Sequence, residues 1–258
     1  MVFRKIMLKL DGFCSMQRFF VDTDAFDGKR VIIKGDDAFH ISRSLRMKKS
    51  EQITVCLPDK TVLLCSISDF LPDTVVADVI SSTACDSESP CRIHVYQALP
   101  KSDKLETVVQ KAVECGAYSI TPFLSERCIA KPGDSFERKL ERLNRISLEA
   151  AKQCGRGLVP KVEPILSFSE MLNEASHFDL PLFCYEADGT KPIGTLLKKN
   201  VTDIAVIVGS EGGFSASEAE EAANSGMLMC GLGKRILRTE TAPLFVLSCL
   251  SLYYELGI

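Results

Sequence analysis

Nowhere in these 258 residues is there a run approaching the roughly 20 apolar residues that a bilayer-spanning helix needs. The longest uncharged stretch, Thr241 to Tyr254, reads instead as a buried helix. Residues 1–15 carry Arg4, Lys5 and Lys9 but lack an apolar core long enough for a secretion signal, and are expected to be a disordered extension. The 11 cysteines include no C-x-x-C pair and no regular spacing, which argues against both a disulfide framework and a zinc site. We therefore expect no bound metal, a reducing cytoplasm, and thiols that act mostly as small buried hydrophobes. Internal repeats are also missing. An excess of positive charge is lacking too: the net charge is −3 and the isoelectric point about 5.8.

That acidity is unevenly spread, and distribution matters more than the total for nucleic-acid binding. From Arg127 to Lys161 there are nine Lys/Arg against four Asp/Glu, whereas from Glu170 to Gly226 there are three against ten. A basic region is thus left free to meet phosphates, although solvated helix faces would have the same composition. With 46% hydrophobic and 25% charged residues the chain has the makings of a real core, in one large domain or two modest ones.

The pattern changes along the chain. Between Phe19 and Ser82, short β-branched runs at Arg30–Ile33, Gln52–Val55, Val62–Ile67 and Thr74–Val79 alternate with Asp-Gly and Pro-Asp turns, which predicts a small β-barrel. The polar, aperiodic stretch from Ser81 to Pro90 reads as a domain boundary, giving domains 16–84 and 91–258. Beyond it strands and helices alternate, the signature of a mainly parallel α/β sheet. Ile93–Leu99 reads as a strand. Leu105, Val108, Val109, Ala112 and Val113 then recur at helical spacing, and Gly116 ends that helix. Ser119–Leu124 and Ile204–Val208 read as strands and Glu137–Cys154 as a long helix. Ser215 and Glu218 form a capping box, and Pro243 suits the first turn of the last helix.

Two glycine-rich turns, Gly209-Ser-Glu-Gly-Gly-Phe214 and Gly231-Leu-Gly-Lys-Arg-Ile-Leu-Arg-Thr-Glu-Thr-Ala242, each follow a short apolar strand. Neither is a phosphate-binding P-loop, because Gly213 is followed by Phe214 and Ser215. Nor is either a dinucleotide fingerprint, because no third glycine follows Gly233. Taken singly, each could be no more than a tight turn. Side by side they offer main-chain donors and acceptors to a small molecule held close to the backbone.

These turns, with Lys101-Ser-Asp-Lys104, Lys111-Ala-Val-Glu-Cys-Gly116, Pro122, Ser125-Glu-Arg127, Gln153-Cys-Gly-Arg156 and Val159-Pro160, resemble the ribosomal RNA small-subunit methyltransferase E family. The resemblance runs from about Met16 to the C-terminus, and Ile236–Ala242 is its most specific part. It implies a trefoil-knotted SPOUT methyltransferase domain behind a PUA-like β-barrel, a homodimer, and S-adenosylmethionine as methyl donor to N3 of one uridine in 16S ribosomal RNA of the small subunit. Two positions depart from the family pattern: Ser210, where proline is expected, and Lys152, where glutamate is expected.

The resemblance assigns the cofactor to Gly209, Glu211, Gly212, Gly213, Leu232, Gly233, Ile236, Leu237, Arg238, Thr239, Thr241 and Ala242. Uridine N3 must lose its proton, so a base or a stabilised anion is required. Glu240 and Glu211 are the nearby carboxylates, each with a structural alternative as a loop or helix-terminus charge. Arg238 and Arg127 are candidates for holding the developing anion or a phosphate through paired donors. Arg43, Arg46 and Lys48 in the His40–Lys49 signature, with Lys101, Lys104, Arg127 and Arg156, are the expected RNA contacts. His40 reads as structural. A non-catalytic RNA-binding or ribosome-assembly protein, and a knotted methyltransferase acting on ribose 2′-OH or transfer RNA, remain open alternatives.

Overall fold

The computed structural model describes residues 16–133, 136–187 and 189–258. The expected disordered extension, 1–15, lies outside the described residues. The chain forms two compact units. The first takes residues up to Glu88 together with Ala151–Val159, and the second Ser89–Ala150 with Pro160–Ile258.

The first unit is built on a mixed five-stranded sheet, β1 Arg18–Phe20, β2 Arg30–Lys34, β3 Gln52–Cys56, β4 Thr61–Leu71 and β5 Thr74–Ala84, in the order β1-β3-β4-β5-β2. Only the β1–β3 pair is parallel. Leu71 faces Thr74 across the tight Pro72-Asp73 turn, which fixes the hairpin register. Alternate residues of β2 and β4 (Val31, Ile33, Leu63, Cys65, Ile67) close over Phe19, Ile41, Ile53 and Val55. The stretch read as linker begins inside β5: Ser81, Ser82, Thr83 and Ala84 pair with Leu64 to Thr61. Their side chains are exposed, so only their main chain completes the sheet, and hydropathy could not reveal them.

One sequence expectation changes here. Arg156 is 4% exposed, and its guanidinium makes a paired contact with Glu88, Nη2–Oε2 2.7 Å and Nε–Oε1 2.9 Å. Gly157 N donates to Glu88 Oε1 at 2.8 Å, and the Arg156 carbonyl accepts from Arg18 Nη1 at 2.9 Å. Arg156 is thus a structural cross-link and not a phosphate contact. The charge of Lys152 is likewise engaged, with Asp37 Oδ1 at 2.8 Å.

The second unit carries an eight-stranded, wholly parallel sheet: β6 Arg92–Ala98, β7 Ser119–Leu124, β8 Lys161–Val162, β9 Leu166–Ser167, β10 Leu180–Cys184, β11 Lys191–Pro192, β12 Asp203–Val208 and β13 Leu228–Gly231. The order is β11-β13-β10-β12-β6-β7-β8, with β9 on β7. Its central strands read as continuous apolar runs because helices cover both faces. All five residues of β10 are buried. Sequence reading missed this strand because Pro181 sits inside it, and proline cannot donate to a ladder.

Among the described residues six helices follow the strands, α2 Lys104–Glu114, α3 Phe136–Cys154, α4 Phe168–Ala175, α5 Ile193–Leu196, α6 Ala216–Asn224 and α7 Ala242–Tyr254, while α1 Gly35–Phe39 belongs to the first unit. The five apolar positions read in α2 are its buried face, and Gly116, at φ +91°, stops it. Ser215 and Glu218 form the reciprocal capping box of α6, and Pro243 opens α7. The last helix packs on α2, β6 and β12 through Val246, Leu247 and Leu250.

Glu88→Gln leaves the buried Arg156 charge uncompensated and should cost about 3–5 kcal/mol in urea unfolding at neutral pH. Burial works against the Glu88 carboxylate, but its hydrogen bonds and charge pairing with Arg156 outweigh this and hold its pKa below the ordinary value. The folded pKa lies below the unfolded one, so the stabilisation is complete above the unfolded glutamate value and is lost as pH falls through the folded one. Unfolding curves of wild type and Glu88→Gln should therefore converge on acidification; parallel curves would contradict the assignment.

Candidate functional site

The second unit gathers its site at the carboxyl ends of β10, β12 and β13, where parallel α/β sheets bind ligands. After β12 the chain turns sharply through Gly209–Phe214. Gly213 N donates to Ser210 O at 2.9 Å, and Gly213 adopts φ +64°. Side chains are excluded at its two adjacent glycines. A Cβ on Gly212 would lie 2.9 Å from Arg127 Cβ, and one on Gly213 2.6 Å from Glu186 Oε1. Ser210, the departure from the family pattern, is 7% exposed; it keeps the turn's main-chain bond, and its hydroxyl donates to Arg127 O at 3.4 Å.

The second turn, after β13, is pinned against the first through a buried junction. Thr239 Oγ1 donates to Gly209 O at 2.7 Å and accepts from Gln97 Nε2 at 2.9 Å; Gln97 also reaches Ala98 O at 3.0 Å. Gln97 is fully buried and Thr239 is 5% exposed. The Arg238 carbonyl accepts from Thr241 N and Ala242 N and so starts α7.

Between the turns lies an open cleft of about 110 Å³. Of the residues expected to bind cofactor, it is lined by Gly209, Gly213, Leu232, Gly233, Ile236, Leu237, Thr239 and Ala242. Glu211, Gly212, Arg238 and Thr241 flank those residues without lining the cleft. Sequence reading missed the wall supplied after β10 by Cys184, Tyr185, Glu186 and Thr190, and also Arg235. Its signal was the apolar run Leu180–Cys184, hidden by Pro181. The inner wall is aromatic: Phe214 is 1% exposed, stacks parallel to Phe123 at 6.3 Å and meets Phe183 at 4.2 Å.

The charged candidates sort differently from expectation. Lys104 Nζ sits between the carboxylates of Glu211 at 3.0 Å and Glu240 at 3.3 Å. Glu211 also accepts from Lys101 N at 3.2 Å. The Glu211 hydrogen bond, with Glu240 behind it, raises the Lys104 pKa; burial opposes the Glu211 charge, yet Lys104 and the main-chain donors keep its pKa low. Lys104 is therefore a tie between the two turns and the start of α2, which corrects its reading as an RNA contact. Glu240, expected as a base, is one partner in that tie. Arg127 Nη1 donates to Gly212 O at 3.1 Å and so shapes the first turn. Arg238 is exposed and, among the described residues, its guanidinium has no hydrogen-bond or ion-pair partner.

In the first unit Arg43, Arg46 and Lys48 are exposed on and just beyond the π-helical turn His40–Ser44. Arg46 takes the left-handed conformation, φ +52°.

Residues 87–251 match the model of an RNA methyltransferase domain. A ribosomal RNA small subunit methyltransferase E of Bacillus subtilis is 34% identical over 252 residues, covering 93% of this chain and 98% of that one. The chain belongs to this family. Among solved structures, the methyltransferase E of Neisseria gonorrhoeae bound to S-adenosylmethionine superposes with a TM-score of 0.81 at 28% identity, covering 93% of this chain and 98% of that one. A methyltransferase from Legionella pneumophila in complex with the same cofactor gives 0.81 at 30% identity, covering 92% and 97%. In this member of the methyltransferase E family the coordinates of both glycine turns follow from its own hydrogen bonds.

Replacing Thr239 by valine removes the hydroxyl that joins Gln97 to Gly209 and leaves these buried groups only their longer direct contact, Gln97 Nε2 to Gly209 O at 3.3 Å, at a cost of about 0.5–1.5 kcal/mol. Chemical denaturation should show that loss for Thr239→Val and little of it for Thr239→Ser; equal losses would assign the effect to packing.

Proposed function

We propose that this protein uses S-adenosylmethionine to methylate N3 of a specific uridine in 16S ribosomal RNA of the small ribosomal subunit. The observation that carries this reading is the pair of glycine turns pinned edge to edge by Thr239, which leaves a cleft walled by main-chain groups and an unpaired arginine, Arg238, beside it. The residues present fit the cofactor: a Cβ at Gly213 or Gly231 would meet Glu186 or Thr190 within 2.7 Å, so the backbone is kept bare where a ligand needs close approach.

When bound, S-adenosylmethionine supplies a methyl carbon on cationic sulfur, open to in-line attack. The residues' task is positioning. Leu232, Ile236, Leu237 and Phe214 contribute the apolar surface of the cleft, and the main chain of Gly209 and Gly233 the polar edge. Arg238 holds the uracil as its N3 proton leaves, offsetting the charge that develops on the ring, and Arg127 braces the loop beside it. Arg43, Arg46, Lys48 and Lys101 grip the phosphate backbone and set register. The uridine must be turned out of its stack to present N3.

We infer in addition that the first unit closes as a PUA-like barrel and that the second is trefoil-knotted. The knot is supported by the path of the chain: β13 lies beyond β10, yet α7 returns to β12 and β6. Homodimer formation through α7 is supported by the exposed apolar residues Leu252, Leu256 and Ile258 at its outer end. A cytoplasmic location agrees with free thiols at every described cysteine.

Arg238→Ala should lower kcat by about 10²–10³ while leaving cofactor affinity within a few fold. The test is transfer of labelled methyl to unmodified small subunits, followed by nucleoside mass spectrometry. The expected product is 3-methyluridine with wild type; a ribose-methylated nucleoside, or undiminished transfer by Arg238→Ala, would overturn the reading.

A further inference from the structure

Towards the amino-terminal ends of β6 and β7 in the same sheet, the second unit holds a separate open cavity of about 550 Å³. It lies on the face of β6 and β7 covered by α4, and the register that pairs His94 with Ser119 and Tyr96 with Thr121 puts these four side chains on its floor. Its walls are aromatic rings set at angles to one another. His94 and Phe178 are 4.6 Å apart at 52°, His94 and Tyr118 5.2 Å at 59°, and Tyr96 and Phe178 6.2 Å at 73°.

The charge lining this cavity has one sign. Glu174 and Glu163 face it, and no lysine or arginine does. Glu163 is paired with the surface ammonium of Lys161 at 2.7 Å, whereas Glu174 accepts only the Tyr96 hydroxyl at 3.2 Å and has no cationic partner among the described residues. Burial and the neighbouring Glu174 push the Tyr96 pKa up, so the phenol stays a neutral donor. Burial likewise outweighs Asp203 and holds the His94 pKa below its ordinary value, so the imidazole adds no positive charge. One ring already shows the affinity at issue: the Arg92 guanidinium lies 6.0 Å from the centroid of Tyr118.

A phosphate-rich ligand would meet carboxylates here and no donor cation, which excludes the cavity as an RNA site. A cavity lined by aromatic rings and by an exposed carboxylate without an ion-pair partner has the opposite preference, because ring quadrupoles and the carboxylate both attract a cation. We propose that this cavity is a binding site for a small alkylammonium ligand of the polyamine class, its cationic end lying against the rings of Tyr118 and Phe178 and neutralised by Glu174. The site is independent of the cleft at the glycine turns, since it shares no lining residue with it.

Calorimetric titration of RNA-free protein with spermidine, alongside Nα-acetyl-lysine N-methylamide as a mimic of a protein lysine, tests the site directly. Saturable one-to-one binding of spermidine, weakened roughly tenfold by Glu174→Gln and about fivefold by Tyr118→Leu, is the expected result. Saturation with S-adenosylmethionine should leave that affinity unchanged. Tighter binding of the lysine mimic would keep the chemistry but overturn the assignment to a free polyamine. No saturable binding of either compound, or spermidine binding indifferent to both substitutions in variants that keep the wild-type melting temperature, would overturn the site itself.

Discussion

The buried junction of Gln97, Thr239 and Gly209 is the constraint on which the site depends. A glycine-rich turn has no side chains with which to hold its own shape, and each glycine adds backbone freedom that folding must remove. Here the task falls to one hydroxyl that donates to the first turn while accepting from a side chain of β6, which itself reaches the same Gly209 carbonyl at 3.3 Å. The junction is buried, so losing either of the Thr239 hydrogen bonds is expensive, and the two turns are held in a single register. The cleft between them is a consequence of that pairing.

Charge reinforces the same arrangement from outside. Lys104 reaches from the start of α2 to a carboxylate on each turn, and Arg127 binds the Gly212 carbonyl. Four of the charged groups near the cleft, Lys104, Glu211, Glu240 and Arg127, are therefore spent on shape. Arg238 is left without a partner among the described residues, exposed beside a cleft walled by apolar side chains and main chain together with Glu186, Thr190 and Arg235. A site so built can orient a ligand by its edges and concentrate the remaining positive charge where a base would lose a proton.

Much of this was legible in the sequence, and what was not had definable causes. Helical periodicity gave every buried position of α2, and the capping residues gave the start of α6, because both signals are local. The two glycine turns were legible as turns, but their mutual contact depends on Gln97, which lies far upstream in an ordinary strand. Strand β10 was hidden by Pro181, and Glu186 and Thr190 were lost with it. The roles of Lys104 and Arg156 were misread for a common reason: sequence shows a positive charge but not the carboxylate that faces it. Arg156 is 4% exposed and tied to Glu88, so the local cluster of lysines and arginines overstated the charge available to phosphates.

Hydrogen exchange of the full chain with and without S-adenosylmethionine tests the central claim most directly. The account predicts that cofactor slows exchange of amides in 209–214 and 231–241 together, since one junction holds both turns around one ligand. Protection confined to one turn, or absent from both while the cofactor is bound, would contradict it.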